Sequence, residues 1–80
     1  MEKINDLIES LSELVKDSTI PKNIREKIRN VIGYLNEKTE LSLRIDKALN
    51  KLEEVSDDSN IQSYTRTQIW NIISALEMTK

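Results

Sequence analysis

Cysteine and histidine are both absent from this sequence of 80 residues. Without cysteine there is no disulfide framework and no thiolate nucleophile, and without histidine the commonest general base and metal ligand at neutral pH is missing. A glycine-rich phosphate-binding loop is excluded as well, because Gly33 is the one glycine in the chain. We therefore expect a noncatalytic protein with no cofactor and no metal site.

A surplus of positive charge and a long apolar run are also missing. Twelve lysines and arginines stand against fourteen acids, for a formal net charge of -2. A nonspecific nucleic-acid binder needs a basic surplus to displace counterions from phosphate. The sequence contains no run of about 18 apolar residues typical of a membrane-spanning helix, and its first stretch, MEKINDLIES, carries acids, unlike a signal peptide. We expect a cytoplasmic protein.

The apolar residues predict an all-α fold. One proline and one glycine, with 32% charged residues, favour helices joined by turns. Apolar side chains recur at spacings of three and four, which places them on one helical face. The pattern predicts helices at about 2–17, 21–37, 40–55 and 61–78, with Pro21 starting the second and Asn60 capping the fourth. Loops of about two to five residues make neighbouring helices antiparallel, so we predict one domain, an antiparallel up-and-down four-helix bundle.

Arg66 and Trp70 are the first candidate partner-binding residues. On a helical wheel Trp70 lies roughly 110° from the core face of the fourth helix, and Arg66 lies one turn earlier on the same flank. Tryptophan and arginine are overrepresented among residues that dominate interface energetics. In the structural alternative, the tryptophan covers the edge of the core while the arginine ties the fourth helix to the preceding linker, with its guanidinium stacked on the indole or bound to nearby carboxylates. Those carboxylates belong to Glu54, Asp57 and Asp58.

Tyr34 and Leu43 are the other two candidate partner-binding residues, and they form a small patch if both lie near the same inter-helix turn. Leu43 lies about 180° from the core face of the third helix, and Tyr34 about 100° from that of the second. Homodimerisation through this patch is one hypothesis, and a single exposed leucine is the ordinary alternative. A separate basic stripe on the second helix is a candidate contact for phosphate or an acidic partner, although such a stripe is more often a solvated face. It consists of Lys22, Arg25 and Arg29.

Two functions fit these observations. The leading hypothesis is a noncatalytic protein-interaction module, either homo-oligomeric or an accessory subunit of a larger assembly. The alternative is an RNA- or ribosome-associated accessory protein that uses the basic stripe of the second helix, although the net charge disfavours it. No membrane partner and no small-molecule substrate are indicated.

Three stretches of the sequence carry a resemblance to a known family. They are TIPKNIR at 19–25, the segment from Arg44 into LEEVSDDSN at 52–60, and RTQIW at 66–70 with SALE at 74–77. Their order and spacing resemble uncharacterised protein family 0147 of archaea. The resemblance implies a small up-and-down four-helix bundle and no known activity. Gln62 stands where that family usually has a proline.

Overall fold

The computed structural model describes residues 2–79 and contains four α-helices within them. These are α1 (Glu2–Val15), α2 (Lys22–Leu35), α3 (Leu41–Ser56) and α4 (Ser63–Thr79). The helices pack in a ring, α1 on α2, α2 on α3, α3 on α4 and α4 on α1, with the α2–α3 contact the most extensive and the α1–α4 contact the least. The bundle is 32 Å long, close to one helix of about 25 Å plus its loops. The predicted up-and-down four-helix bundle is confirmed.

One apolar stripe from each helix builds the core. Amphipathic helices are stable in water when this stripe is covered by neighbouring helices. Two loop residues, Ile20 and Ile61, are buried beside the helical stripes and close the end of the core at which the α1–α2 and α3–α4 loops lie. The buried apolar residues of the helices are Ile4, Leu11 and Leu14 of α1; Ile24, Ile28, Val31 and Leu35 of α2; Ile45, Ala48, Leu52 and Val55 of α3; and Ile69, Ile72 and Leu76 of α4.

The loop between α1 and α2 is longer than predicted. α1 ends at Val15 instead of residue 17, because Asp17 folds the chain into a turn. Its Oδ1 accepts hydrogen bonds from the Thr19 backbone N–H at 2.9 Å and from the Thr19 hydroxyl at 2.6 Å. These bonds also lower the pKa of the Asp17 carboxyl. Pro21 has ψ 146° as the N-cap residue of α2, so the helix begins one residue after it.

The start of α4 also corrects the prediction. The helix begins at Ser63, two residues later than expected, and Asn60 is not its N-cap. The Asn60 backbone N–H donates to Asp58 Oδ1 at 2.8 Å, within the turn. Ile61 is only 6% exposed although it precedes the helix. The predicted helix start was too early because Ile61 fits the apolar pattern of α4 although it lies in the loop. A residue can be buried without a helical backbone.

The other ends differ from the prediction by one or two residues, which is the usual scatter at helix termini. α2 stops at Leu35 instead of 37, and α3 runs from Leu41 to Ser56 instead of 40–55. The last helix extends to Thr79, one residue beyond the predicted end. The loops at 16–21, 36–40 and 57–62 are consequently as long as or longer than the upper end of the predicted range.

The two halves of the chain repeat each other at an offset of 41 residues. The shared residues are core positions, a turn aspartate and an arginine. They are Ile4/Ile45, Leu11/Leu52, Asp17/Asp58, Ile20/Ile61, Arg25/Arg66, Ile28/Ile69 and Leu35/Leu76. The turns match as well, since Asp17 accepts the N–H of Thr19 and Asp58 that of Asn60. The bundle therefore consists of two equivalent helical hairpins, α1–α2 and α3–α4.

Candidate protein-interaction surface

An arginine is the fourth residue of each of α2, α3 and α4. Each of these arginines donates from its guanidinium to a backbone carbonyl in the chain that precedes its own helix. Such carbonyls lack intrahelical partners, and a cation is favourable at a helix C-terminus. The pairs are Arg25 Nε to Ile20 O at 3.0 Å, Arg44 Nη1 to Leu35 O at 3.1 Å, Arg66 Nε to Ser56 O at 2.9 Å and Arg66 Nη2 to Asp58 O at 2.8 Å. We call Arg25, Arg44 and Arg66 the arginine clasps.

Arg66 ties α4 to the preceding linker, as the structural alternative predicts, but through acceptors other than the two suggested by the sequence. Its Nε and Nη2 atoms reach the carbonyl oxygens of Ser56 and Asp58, and not the carboxylates of the linker or the indole of Trp70. These two bonds join α4 to the end of α3. The guanidinium therefore helps to hold the fold, and Trp70, one turn later on α4, is half-exposed.

The basic stripe of α2 is partly neutralised in the same way. Arg25 is a clasp, and Arg29 Nη1 pairs with Glu26 Oε1 at 2.7 Å on the same helix. Lys22 is exposed at the first position of α2. The three residues lie on one helix as predicted, but two of their charges are engaged by groups of the chain itself, which weakens the stripe as a phosphate contact.

The solvent-facing side of α4 has almost no charge. Its exposed residues include one charged side chain, Glu77, although 32% of the chain is charged. The equivalent side of α2 carries Lys22, Glu26 and Arg29. We define the α4 outer face as the exposed residues Ser63, Tyr64, Thr67, Trp70, Asn71, Ser74, Glu77 and Met78. A surface helix normally carries charged or polar residues on its outer face, and α4 differs from α2 in that its polar residues there are almost all uncharged.

Three large apolar side chains lie on the α4 outer face. Trp70 is 53% exposed, Tyr64 71% and Met78 80%. The sequence predicts that Trp70 lies at the boundary of the core, and about half of its surface is exposed in the structure. Tyr64 and Met78 were not recognised. Two signals point to them: residues 67–76 contain no charged residue, and the 41-residue offset pairs Met78 with Glu37.

A groove between α1 and α4 adjoins one end of this face. It has a volume of about 210 Å³ and is lined by Lys3, Asp6, Leu7, Ala75, Met78 and Thr79. The repeat explains why it is open, because Tyr34 of the other hairpin corresponds to Ala75 here. The Tyr34 ring fills space at the α2–α3 contact, whereas the Ala75 methyl group leaves the equivalent space at the α4–α1 contact open. The α4 outer face therefore continues into an apolar depression.

The Tyr34–Leu43 patch differs from the α4 outer face in its charge. Leu43 is 53% exposed, as predicted, and it lies one turn before Lys47 on α3. The Lys47 ammonium sits 4.7 Å from the centroid of the Tyr34 ring and pairs with Glu37 at 2.8 Å. A charged pair therefore covers this ring, and a partner docking here has to desolvate it.

The cleft beside Tyr34 contains a second group of charges. It has a volume of about 240 Å³ and includes Lys51 and Glu54 in its lining. The hydrogen bond from Lys51 and the nearby charge of Lys27 hold the pKa of Glu54 below its ordinary value. Among the side chains of residues 3–79, His, Cys, Asp and Glu form no group of three that is placed to hold a metal ion. None of the helices within residues 2–79 is long and apolar enough to cross a membrane.

The fold defines a class, that of small up-and-down four-helix proteins, and comparison with known proteins gives the family. The chain belongs to the Uncharacterised protein family (UPF0147), whose model matches residues 1–79. It is 41% identical over 81 residues to a UPF0147 protein of Pyrococcus furiosus, covering 99% of this chain and 87% of that protein. It is 42% identical over 73 residues to a UPF0147 protein of Methanocaldococcus jannaschii, covering 88% and 76%.

Two solved structures have the same fold. The crystal structure of the unknown-function protein MMP1188 has a TM-score of 0.91 and 42% identity, covering 98% of this chain and 90% of the other. A UPF0147 protein from Thermoplasma acidophilum has a TM-score of 0.92 and 34% identity, covering 99% and 94%. The resemblance seen in the sequence is therefore confirmed, and the family is one of uncharacterised function.

Proposed function

We propose that this protein is a noncatalytic protein-interaction module and that the α4 outer face is its contact surface. The observation that carries the proposal is the near absence of charge on a solvent-facing helix side that exposes Trp70, Tyr64 and Met78. A solvent-facing side that exposes several large apolar side chains among few charges is typical of a surface that a partner covers. In this fold, α1 and α3 cover only the inner side of α4.

The exposed area sets the scale of affinity. A buried aromatic side chain covers about 150–250 Å², so the three exposed side chains leave on the order of 400 Å² to remove from water. At about 25 cal/mol per Å² this amounts to roughly 10 kcal/mol of gross stabilisation. Association costs about 4–15 kcal/mol in lost translational and rotational freedom. The balance corresponds to a weak and reversible contact, typical of an accessory subunit that binds and releases its partner.

The other two candidate surfaces support the same ranking. At the Tyr34–Leu43 patch a partner has to desolvate Lys47 and Glu37, which are ion-paired. On the basic stripe, the clasp of Arg25 and the ion pair of Arg29 engage two of the three charges. Desolvation of a paired charge is unfavourable unless the partner restores its hydrogen bonds. The α4 outer face imposes this cost at Glu77 alone.

A photo-crosslinking side chain at position 70 tests the proposal. The matched control is the same group at position 29, which is the equivalent position on α2. Both variants are irradiated in extract of the source organism, with and without nuclease and at low and high salt. We expect protein adducts at position 70 that survive nuclease and salt, and few at position 29. Adducts confined to position 29 that disappear with nuclease would instead support the RNA-associated alternative, because phosphate contacts weaken steeply with salt.

A further inference from the structure

Five residues of the α4 outer face are spaced as a coiled-coil seam. Tyr64, Thr67, Asn71, Ser74 and Met78 follow one another at intervals of three, four, three and four, and all five are exposed. This is the heptad spacing with which two helices interlock their side chains along a shared line. The core stripe of α4, by contrast, faces the other side and includes Ile69, Ile72 and Leu76. The helix therefore presents two packing faces, and the bundle occupies one of them.

The composition of the seam permits close approach of another helix. Thr67 and Ser74 are small, so they do not hold a neighbouring backbone away. The Thr67 hydroxyl is already engaged, since it donates to the Ser63 carbonyl at 3.1 Å. A hydroxyl with a partner inside its own helix can leave water at little cost. The seam thus offers large side chains at its two ends and small ones between.

The seam is also symmetric about its middle residue. Asn71 is central, and Tyr64 and Met78 each lie seven residues from it. At about 1.5 Å per residue, both ends are roughly 10 Å from the centre. Two such seams in opposite directions place the Tyr64 of one beside the Met78 of the other. An Asn at the centre of a seam can hydrogen-bond to its own copy across the axis and so fixes the register of a helix pair.

The distribution of charge also favours an antiparallel pair of α4 helices. The whole chain has a net charge of -2, so two copies approach each other most favourably through a surface that carries little of it. Glu77 is the one charged residue on the α4 outer face. An antiparallel pair separates the two Glu77 carboxylates to opposite ends, whereas a parallel pair brings them side by side. Antiparallel packing also sets the helix dipoles in the favourable orientation.

We propose that a second copy of this chain occupies the α4 outer face, with the two α4 helices antiparallel about a two-fold axis near Asn71. This inference rests on the proposed function, because it names the partner of the same surface. One helix face about 25 Å long and 10 Å wide is smaller than the roughly 800 Å² that each partner contributes to a standard interface. The dimer is therefore weak, with a dissociation constant on the order of 10–500 μM.

Single cysteines test the geometry, because the chain has none of its own. Asn71→Cys places the thiol at the axis, and Asn30→Cys is the matched control at the equivalent position of the other hairpin. We expect mild oxidation at several hundred micromolar to link Asn71→Cys into a covalent dimer and to leave Asn30→Cys monomeric. Tyr64→Cys and Met78→Cys should not self-link, since each lies roughly 20 Å from its own copy, but their mixture should form a heterodimer. Circular dichroism verifies that every variant is folded.

Sedimentation equilibrium provides the second arm. Ser74→Glu introduces a charge into the seam and should make the protein monomeric, while Gly33→Glu, its equivalent on α2, should leave the dimer unchanged. Self-linking of Tyr64→Cys, or no linking of Asn71→Cys above the control, would overturn the antiparallel dimer. A dimer that is lost in Leu43→Lys and retained in Ser74→Glu would also overturn this proposal. If the photo-crosslinker at position 70 captures other proteins while Asn71→Cys stays monomeric, the dimer is refuted and the proposed function stands. If position 70 captures no protein and Asn71→Cys stays monomeric, the proposed function is refuted as well.

Discussion

Substitution of Arg66 by methionine tests whether the arginine clasps hold the hairpins together. The change keeps an unbranched stem of similar length and removes the two hydrogen bonds to Ser56 O and Asp58 O. A hydrogen bond from a charged donor contributes about 1.5–3 kcal/mol. We take the lower end for each, because Arg66 is only partly buried and water can reach the freed carbonyls. The expected loss is about 3 kcal/mol in the free energy of unfolding.

Thermal and urea denaturation followed by circular dichroism measure this loss. In a domain of this size about 1 kcal/mol shifts Tm by 4–8 °C, so the loss of about 3 kcal/mol in Arg66→Met should lower Tm by roughly 12–24 °C. The control is Arg29→Met, which removes the half-exposed pair with Glu26 and should cost at most about 0.5 kcal/mol. Arg66→Lys should retain little of the stability, since an ammonium lacks the planar fork of donors. Equal losses in Arg66→Met and Arg29→Met would refute the clasp.

Three further predictions concern stability. Gly33→Ala should raise the free energy of unfolding by about 0.5–1 kcal/mol in urea denaturation, because a Cβ there meets nothing within 4 Å; a loss would show a hidden contact. Ile61→Ala should cost about 2–4 kcal/mol by the same measurement, since this loop residue closes the core; a cost below about 0.5 kcal/mol would contradict its packing role. Thr19→Val removes the hydroxyl bond that lowers the pKa of Asp17, so NMR titration should show that pKa rise.

The Asp17 prediction has a defined pH window. The folded pKa lies below the unfolded value of about 3.9, so the carboxylate contributes stability above that pH and loses it as pH falls through the folded value. The difference in stability between the native chain and Thr19→Val should therefore be present at neutral pH and shrink below about pH 4. A difference that stays constant down to strongly acidic pH would assign the effect to packing of Thr19 instead.

The helices and their buried faces were predictable because both follow from the need to cover apolar side chains from water. A helix in water has to cover its apolar stripe, and the period of that stripe is visible in the sequence. Leu43 was correctly placed in solvent by this argument, and Trp70 off the core face. The helix ends were less accurate, because Ile61 belongs to the apolar period while its backbone lies in a turn. A periodicity argument detects burial and cannot distinguish a buried loop residue from a helical one.

The sequence predicted that Arg66 ties α4 to the preceding linker, but it did not predict the acceptor atoms of its guanidinium. The acids near the linker suggested carboxylate partners, but the acceptors are carbonyl oxygens, which every residue has and no sequence pattern marks. The recurrence of Arg25 at the same place in the first hairpin is the signal that identifies the role. The same comparison of hairpins shows that Tyr64 and Met78 are apolar where the first hairpin has the polar residues Asn23 and Glu37. This difference identifies the α4 outer face.

The fluorescence of the single tryptophan tests the central claim most directly, that the α4 outer face is covered by a partner. Trp70 is half-exposed in the isolated chain, and excitation beyond the tyrosine band reports on it alone. With rising protein concentration, we expect its emission to shift to shorter wavelength and its quenching by acrylamide to weaken, with Ser74→Glu abolishing both changes. Emission and quenching that stay constant up to millimolar concentration, and in the presence of source-cell extract, would contradict the claim.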